Sequence, residues 1–387
     1  MALPITYNVR NVFIRWRATL ATILGVALVV AVYVLIQSMA AGLEKSSQNT
    51  GDPRNVMIVR KGSTAESSSQ VKREQFKLIE YLPGIALDAK GRPLVSGDVV
   101  VLITLPRRAN AGEANVMLRG ISPAGIALRP QVELVEGRWF TPGKREIVVS
   151  RRLAARFANF EVGGRFKTGG KELNVVGITD GHNTAFDSEI WMDADEARSV
   201  FDRENYSSVL VRSASPEAAK AIADRVESDK RLPLRAMLET EYYASQTMTA
   251  VPIRILGKFL AFAMSIGAVF AAMNTMYASV GSRTREIGTL RVLGYRRRAI
   301  LVSFLIEGAF LAFLGGALGC LISLPMHGYA IGTFNMQSFS ETVFQFRITP
   351  LLVVKGLVFS VIVGLVGSLL PAMRAARLPV ISALKSV

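Results

Sequence analysis

Few residues in this sequence have the types and spacing that chemistry needs. A phosphate-cradling loop reads G-x-x-x-x-G-K followed by Ser or Thr, because backbone amides hold the phosphates and the hydroxyl binds magnesium. The nearest approach is Gly170-Lys171, and it fails twice: Arg165 stands where the first glycine is required and Glu172 where the hydroxyl is required. Two histidines and one cysteine leave almost nothing for a zinc site, and His182 and His327 fall in different segments. No G-x-S-x-G elbow presents a serine nucleophile. Asp193, Asp195 and Glu196 read as charges at a helix start and not as a glycosidase dyad.

What remains is a basic segment, Ser282 to Arg298, in which Ile287, Leu290 and Leu293 recur at intervals of three among Arg and Glu residues. As a helix it carries an apolar stripe on one side, and Gly294 ends it. That shape suits a rigid lever docking in a partner's groove. A loop that merely fixes membrane topology would need the arginines but not the stripe. Glu307 is the other residue that calls for a reason, since an ionisable group inside an apolar span is costly and usually partnered. A salt bridge or hydrogen bond near the end of the span is favoured over a transport role.

These residues must be positioned by elements that hydropathy makes plain. Residues 18 to 43 and 259 to 282 carry no charge. Two further spans, 299 to 325 and about 350 to 373, are interrupted only by Glu307 and Lys355. A bilayer core about 30 Å thick needs roughly 20 helical residues, so four crossings are expected. The first is too long, and lacks the cleavage site, for a signal peptide.

The net charge of +16 concentrates beside these spans. Arg10, Arg15 and Arg17 precede the first; Arg283, Arg285, Arg291, Arg296, Arg297 and Arg298 lie between the second and third; Arg374, Arg377 and Lys385 follow the fourth. The positive-inside rule places all three groups, and both termini, in the cytoplasm. Topology therefore accounts for the basic residues, and nucleic acid is not an expected partner. Before the first span, Ile5, Val9, Val12, Phe13 and Trp16 suggest a short amphipathic helix at the cytoplasmic face, or else a continuation of the span.

Residues 44 to 251, and the shorter loop from about 326 to 349, are then extracytoplasmic. Cys320, inside the third span, offers no staple for the external domain, which must rest on an apolar core. Strands are expected at Asn55 to Gly62, ending at the glycine, and at Val99 to Leu105, Ala114 to Leu118, Glu146 to Val149, Leu173 to Val176 and Ser207 to Val211. The serine-rich stretch 63 to 70 reads as a mobile loop. Ser215 before Pro216 starts a helix running to about 229 that is expected to bury Ala218, Ala219, Ile222 and Val226. The fold class is an α-helical membrane protein with four transmembrane helices, one before and three after an inserted α+β extracytoplasmic domain. Its parts are 1–43, 44–251 with two lobes, and 252–387 with a coupling helix at 283–298. Gly267, Gly315 and Gly319 are small enough for close helix packing.

Arg283 to Gly294 reads R-x-R-E-I-G-x-L-R-x-x-G, followed by Phe304-Leu305-Ile306-Glu307-Gly308. The chain ends with Pro371-Ala372-Met373-Arg374-Ala375-Ala376-Arg377-Leu378-Pro379-Val380 and Ala383-Leu384. The external block holds Leu118-Arg119-Gly120-Ile121, Glu136-Gly137-Arg138-Trp139-Phe140 and Val175-Val176-Gly177-Ile178. These runs resemble the FtsX/MacB/LolC type of ABC transporter permease with its MacB-like periplasmic core domain.

The resemblance implies a non-catalytic subunit of a bacterial inner membrane that binds no cofactor itself. ATP and Mg would belong to a separate cytosolic ABC ATPase, docked through Arg283, Arg285, Glu286, Ile287, Leu290, Arg291 and Gly294. A second copy of the permease would complete the membrane part, with membrane lipids around it. Motion would pass from ATPase to periplasmic domain, a mechanotransmission. The implied function is export of an amphiphile, peptide, drug or lipoprotein, served by a periplasmic adaptor and an outer-membrane channel. The alternative is an FtsX-like permease that activates an extracytoplasmic enzyme and moves no substrate.

Overall fold

The structure, a computed structural model, describes residues 16–108, 112–246, 250–335 and 338–379. The expected amphipathic segment before the first span, and Val380, Ala383, Leu384 and Lys385, lie outside the described residues. In chain order the helices are α1 (Trp16–Thr50), α2 (Arg73–Glu80), α3 (Pro123–Ala127), α4 (Arg151–Arg156), α5 (Ala194–Val200), α6 (Pro216–Ser228), α7 (Glu239–Gln246), α8 (Ala250–Ser282), α9 (Thr284–Val292), α10 (Arg297–Ser323) and α11 (Pro350–Arg377). The strands are β1 (Asn55–Arg60), β2 (Val95–Pro106), β3 (Glu113–Ile121), β4 (Glu133–Gly137), β5 (Glu146–Ser150), β6 (Arg165–Thr168), β7 (Lys171–Asp180), β8 (Glu189–Asp193), β9 (Ser208–Arg212), β10 (Leu234–Leu238), β11 (Ala330–Phe334) and β12 (Glu341–Gln345). Contacts divide the chain into two units: Met1–Ala41 with Pro252–Tyr329 and Phe346–Val387, and Gly42–Val251 with Ala330–Gln345.

The first unit holds the helices that are long and apolar enough to cross a membrane: α1, α8, α10 and α11. Small residues let their backbones approach, as packing without a hydrophobic driving force requires. A Cβ at Gly315 would meet the Ile23 carbonyl at 2.8 Å, and one at Gly319 would meet the Ala27 carbonyl at 2.5 Å, so α1 crosses α10 there. Gly308 faces Ser368 and Gly316 faces Ser360 between α10 and α11. Gly267 does not take part. A Cβ there meets nothing within 4 Å, because it lies on the outer side of α8, and the contact with α11 is made by Ala272 against Gly367. The start of α11 is fixed by Pro350 in its first turn and by the Thr349 hydroxyl, which accepts from the Leu352 amide at 3.2 Å.

The second unit is built on a sheet in the order β10-β1-β9-β2-β3-β8-β5-β7-β4, with β6 paired to β7. Its pairings are antiparallel except β3 with β8 and β5 with β7. The long strand β2 joins two halves: Val95 to Asp98 pair with β9, and Val99 to Pro106 pair with β3. Gly97 sits at this transition under the Tyr206 ring, which a Cβ would touch at 2.8 Å. One apolar cluster packs α6 on β1, β9 and β10, with Ile222 and Val226 against Val56 and Leu234. Another gathers Val99, Leu118, Ile147, Phe157 and Ile190 around β3, β5 and β8. Ser215 caps α6, its hydroxyl accepting from the Ala218 amide at 3.2 Å.

Two expectations are corrected here. The serine-rich stretch is packed: Ser63, Ala65, Glu66 and Ser69 are buried, and a short turn at Glu66–Ser68 is held by internal hydrogen bonds. The segment after the third apolar helix is not a plain loop. It forms an antiparallel hairpin in which Gly332 faces Val343, and this hairpin counts with the sheet unit. Its two strands show no clean alternation of buried and exposed residues, so a reading for strands misses them.

Candidate functional site

The helix α9 lies between α8 and α10. Its C-terminus closes as a Schellman motif: the Gly294 amide donates to the Arg291 carbonyl at 3.2 Å and the Tyr295 amide to the Leu290 carbonyl at 3.1 Å. Gly294 has φ +89°, a conformation that a side chain disfavours, so the glycine sets the sharp exit into α10. Arg291 reinforces this end, donating to the Tyr295 carbonyl at 3.1 Å.

At the other end stands Arg283. Its Nη1 donates to Glu307 Oε2 at 2.9 Å, its Nε lies 3.6 Å from Glu286, and its guanidinium sits 5.3 Å from the centre of the Phe304 ring. Both Arg283 and Glu307 are buried. The intramembrane carboxylate of the sequence thus has its partner at the root of α9, in a site where each charge compensates the other's desolvation.

The faces of α9 are then fixed, and one expected contact is overturned. Ile287 is only 2% exposed and packs among Met276, Val280, Ile300, Phe304, Ala372 and Ala375, so it anchors α9 to its own bundle and is closed to a partner. Gly288 is buried beside it, and Leu290 is half-buried. The outward side carries Arg285, Glu286, Thr289, Val292 and Leu293, at helical spacings of three, four and seven. Val292 and Leu293 are 61% and 68% exposed. Sequence periodicity finds a stripe but not which side meets the protein's own core. Leu293, placed in the same stripe as Ile287, turns outward because six residues at about 100° each carry it roughly 120° round the helix from Ile287, to the side of Glu286.

A second polar constellation lies inside the sheet unit and was not foreseen. All five guanidinium N–H groups of Arg119, on β3, are used: by Glu189 at 2.7 and 2.8 Å, by Glu66 at 2.7 and 2.9 Å, and by Asp98 at 3.1 Å. Asp98 also pairs with buried Arg129, Ser208 donates to Glu66 at 2.6 Å, and the Trp191 indole donates to Glu189 at 2.8 Å. Burial works against the charge on Arg119, yet Glu189 and Glu66 hold its pKa well above the ordinary arginine value. Burial likewise disfavours ionised Glu66, and Arg119 outweighs it, leaving that pKa lowered. Such saturation leaves no group to act on a substrate. The signal in the sequence is a lone Arg within the apolar strand Val116 to Ile121, which must find carboxylates if it is buried.

Four membrane-length helices, an inserted mixed sheet and a capped helix between the second and third apolar helices define a membrane protein of the permease class. Residues 18–229 match the MacB-like periplasmic core domain, and residues 258–380 match the FtsX-like permease C-terminal domain. The chain belongs to the FtsX/MacB type of ABC transporter permeases. It is 26% identical over 320 residues to the uncharacterized ABC transporter permease YknZ of Bacillus subtilis (strain 168), covering 77% of this chain and 78% of that protein. It is 24% identical over 400 residues to the macrolide export ATP-binding/permease protein MacB of Pasteurella multocida (strain Pm70), covering 95% of this chain and 57% of that one. The chain spans about half the length of the MacB relatives it matches. The solved extracellular domain of the noncanonic ABC-type transporter YknZ from Gram-positive bacteria aligns with 17% identity over 47% of this chain and 99% of that one, at a TM-score of 0.35, too low to bear on the fold.

Proposed function

We propose that this chain is the membrane subunit of an ABC transporter that receives motion from an ATPase through α9. The observation that carries this reading is the division of α9 into a face buried in its own bundle and a face left outward. The first, at Ile287, with the Arg283–Glu307 pair, makes the helix rigid with α8, α10 and α11. The second offers Val292 and Leu293 beside Arg285 and Glu286. A short helix fixed on one side and open on the other transmits force without deforming.

ATP and Mg belong, on this reading, to a cytosolic ABC ATPase, and these 387 residues contain no phosphate-cradling loop. The permease sits in the inner membrane with both termini in the cytoplasm, one span before the sheet domain and three after it, and a second copy completes the membrane part. MacB relatives are named for macrolide export. By analogy the driven step is export of an amphiphile, peptide, drug or lipoprotein, handed on through an adaptor and outer-membrane channel. Co-purification tests the coupling: wild-type permease should bring down an ABC ATPase in equal number, and Leu293→Asp should lose it while still inserting. An assembled, fully active Leu293→Asp complex would remove α9 from the mechanism.

A further inference from the structure

Two passages of the chain at the boundary of the sheet unit lie against each other. Helix α1 runs out at Thr50 into Gly51 and Asp52, and β10 gives way at Glu239 to α7, which precedes α8. Residues on both sides of this crossing belong to the sheet unit. A Cβ on Gly51 would stand 2.7 Å from the Thr240 amide nitrogen and 2.9 Å from the Glu239 carbonyl carbon, so the passages meet backbone to backbone.

The Glu239 side chain fastens them. It is buried, and its Oε2 accepts from the Asp52 amide at 2.9 Å and from Asn55 Nδ2 at 2.8 Å. The orientation of the Asn55 amide follows from its two acceptors, because Nδ2 also donates to the Leu128 carbonyl at 3.2 Å. Two buried oxygens are left over, Oε1 of Glu239 and Oδ1 of Asn55, and neither has a donor among the described residues. Orphaned acceptors are costly, and these two stand on side chains already joined by a hydrogen bond. A proton on Oε1 turns it into a donor, which is what Oδ1 lacks.

The surrounding charges supply no substitute. Arg129 draws Glu239 toward the ionised form but is itself paired with Asp98. Asp52 takes Arg54 at 3.3 Å and Arg212 at 2.9 Å, and Arg212 also donates to the Leu128 carbonyl. Glu66, bound to Arg119, pushes the other way; burial keeps the Tyr243 phenol neutral, and Arg235 on β10 is exposed. Burial is the largest influence on Glu239, and it favours the proton.

We propose that Glu239 is a proton-operated clasp: protonated, it donates to Asn55 and holds the start of α7 against the chain leaving α1, and ionised, it lets the two passages part and admits water between them. Opening exposes the carboxyl to water, where it ionises more readily, so opening is promoted as pH rises through the folded midpoint of about 7. In Glu239→Gln an amide takes the place of the acid, the donor is permanent, and the clasp stays closed at every pH.

The test is amide hydrogen exchange of the full chain in detergent, with the intrinsic effect of pH on exchange divided out. In wild type the protection of residues 50–56 and 239–246 should fall roughly tenfold or more between pH about 5.5 and pH about 8, and at the higher pH these stretches should exchange faster than β3. In Glu239→Gln their protection should not change with pH. Infrared difference spectra of wild type between the same two conditions keep the proposal testable where that variant fails to fold: the carbonyl band of a protonated carboxyl should be present at the lower pH and lost at the higher. Equal protection of both stretches at the two pH values, a fall shared equally by β3, or no such band in wild type overturns the clasp.

Discussion

The Arg283 guanidinium and the Glu307 carboxylate lie 2.9 Å apart, with side chains 8% and 7% exposed, and so tie the root of α9 to the interior of α10. Changing either residue alone takes from the other the buried opposite charge that stands 2.9 Å away. Arg283→Met and Glu307→Leu should each cost roughly 3–5 kcal/mol. The double variant should cost less than their sum by at least about 1 kcal/mol, because the second change removes the charge the first one stranded. Unfolding in detergent for the four proteins gives the coupling directly, and strictly additive losses would show that the pair contributes nothing as a pair.

The two faces of α9 separate folding from docking. Ile287→Asp places a carboxylate among Met276, Val280 and Phe304 and should prevent accumulation of folded permease. Leu293→Asp alters a side chain 68% exposed and should leave stability within about 0.5 kcal/mol. Expression level and melting temperature of the two variants check this. Equal damage would mean that Leu293 is covered within the folded chain.

Helix packing offers a contrast between glycines of similar spacing. Gly319→Leu drives a side chain into the Ala27 carbonyl and should cost about 1–3 kcal/mol or more, whereas Gly267→Leu enters open space and should cost little in the single chain. Melting of the purified variants decides the order, and a reversed ranking would move the α1 and α10 crossing away from Gly319.

Glu239, at the start of α7, gives the sheet unit a pH dependence. Burial pushes its pKa from 4.5 up to about 7, against the pull of Arg129, while its Oε2 accepts from the Asp52 amide and Asn55. A carboxyl with a raised folded-state pKa binds its proton more tightly when folded. The stability it adds is complete below pH about 4.5 and is lost as pH rises through about 7. The whole change amounts to about 3 kcal/mol. Relative to Glu239→Gln, which does not titrate, wild type should therefore be more stable at pH 5.5 than at pH 8, each pH chosen about 1 to 2 units from the midpoint. A constant difference between the two proteins across that range would show that Glu239 keeps one protonation state.

Local physics made the long elements legible. The uncharged runs needed only their length, Ser215-Pro216 announced α6 because a hydroxyl cap and a proline act on their own turn, and Gly294 marked the end of α9 because a left-handed residue is a backbone requirement. The order of basic residues and spans was likewise readable, since charge and hydropathy act residue by residue.

Tertiary structure decided what depends on a partner distant in sequence. Spacing by threes groups Ile287 with Leu293, and the positions of Phe304 and Ala372 select the Ile287 side as the one that packs inward. Glu307 needed a counter-charge, but several arginines were available and only the packing of α8 against α10 selects Arg283. Glu66, in a stretch that reads as a loop, becomes a buried ligand of Arg119 because folding brings β3 and the stretch together across 53 residues. Hydropathy and propensity act locally and survive in sequence. Desolvated charge pairs and the choice of a helix face are set by which surfaces meet, which folding alone supplies.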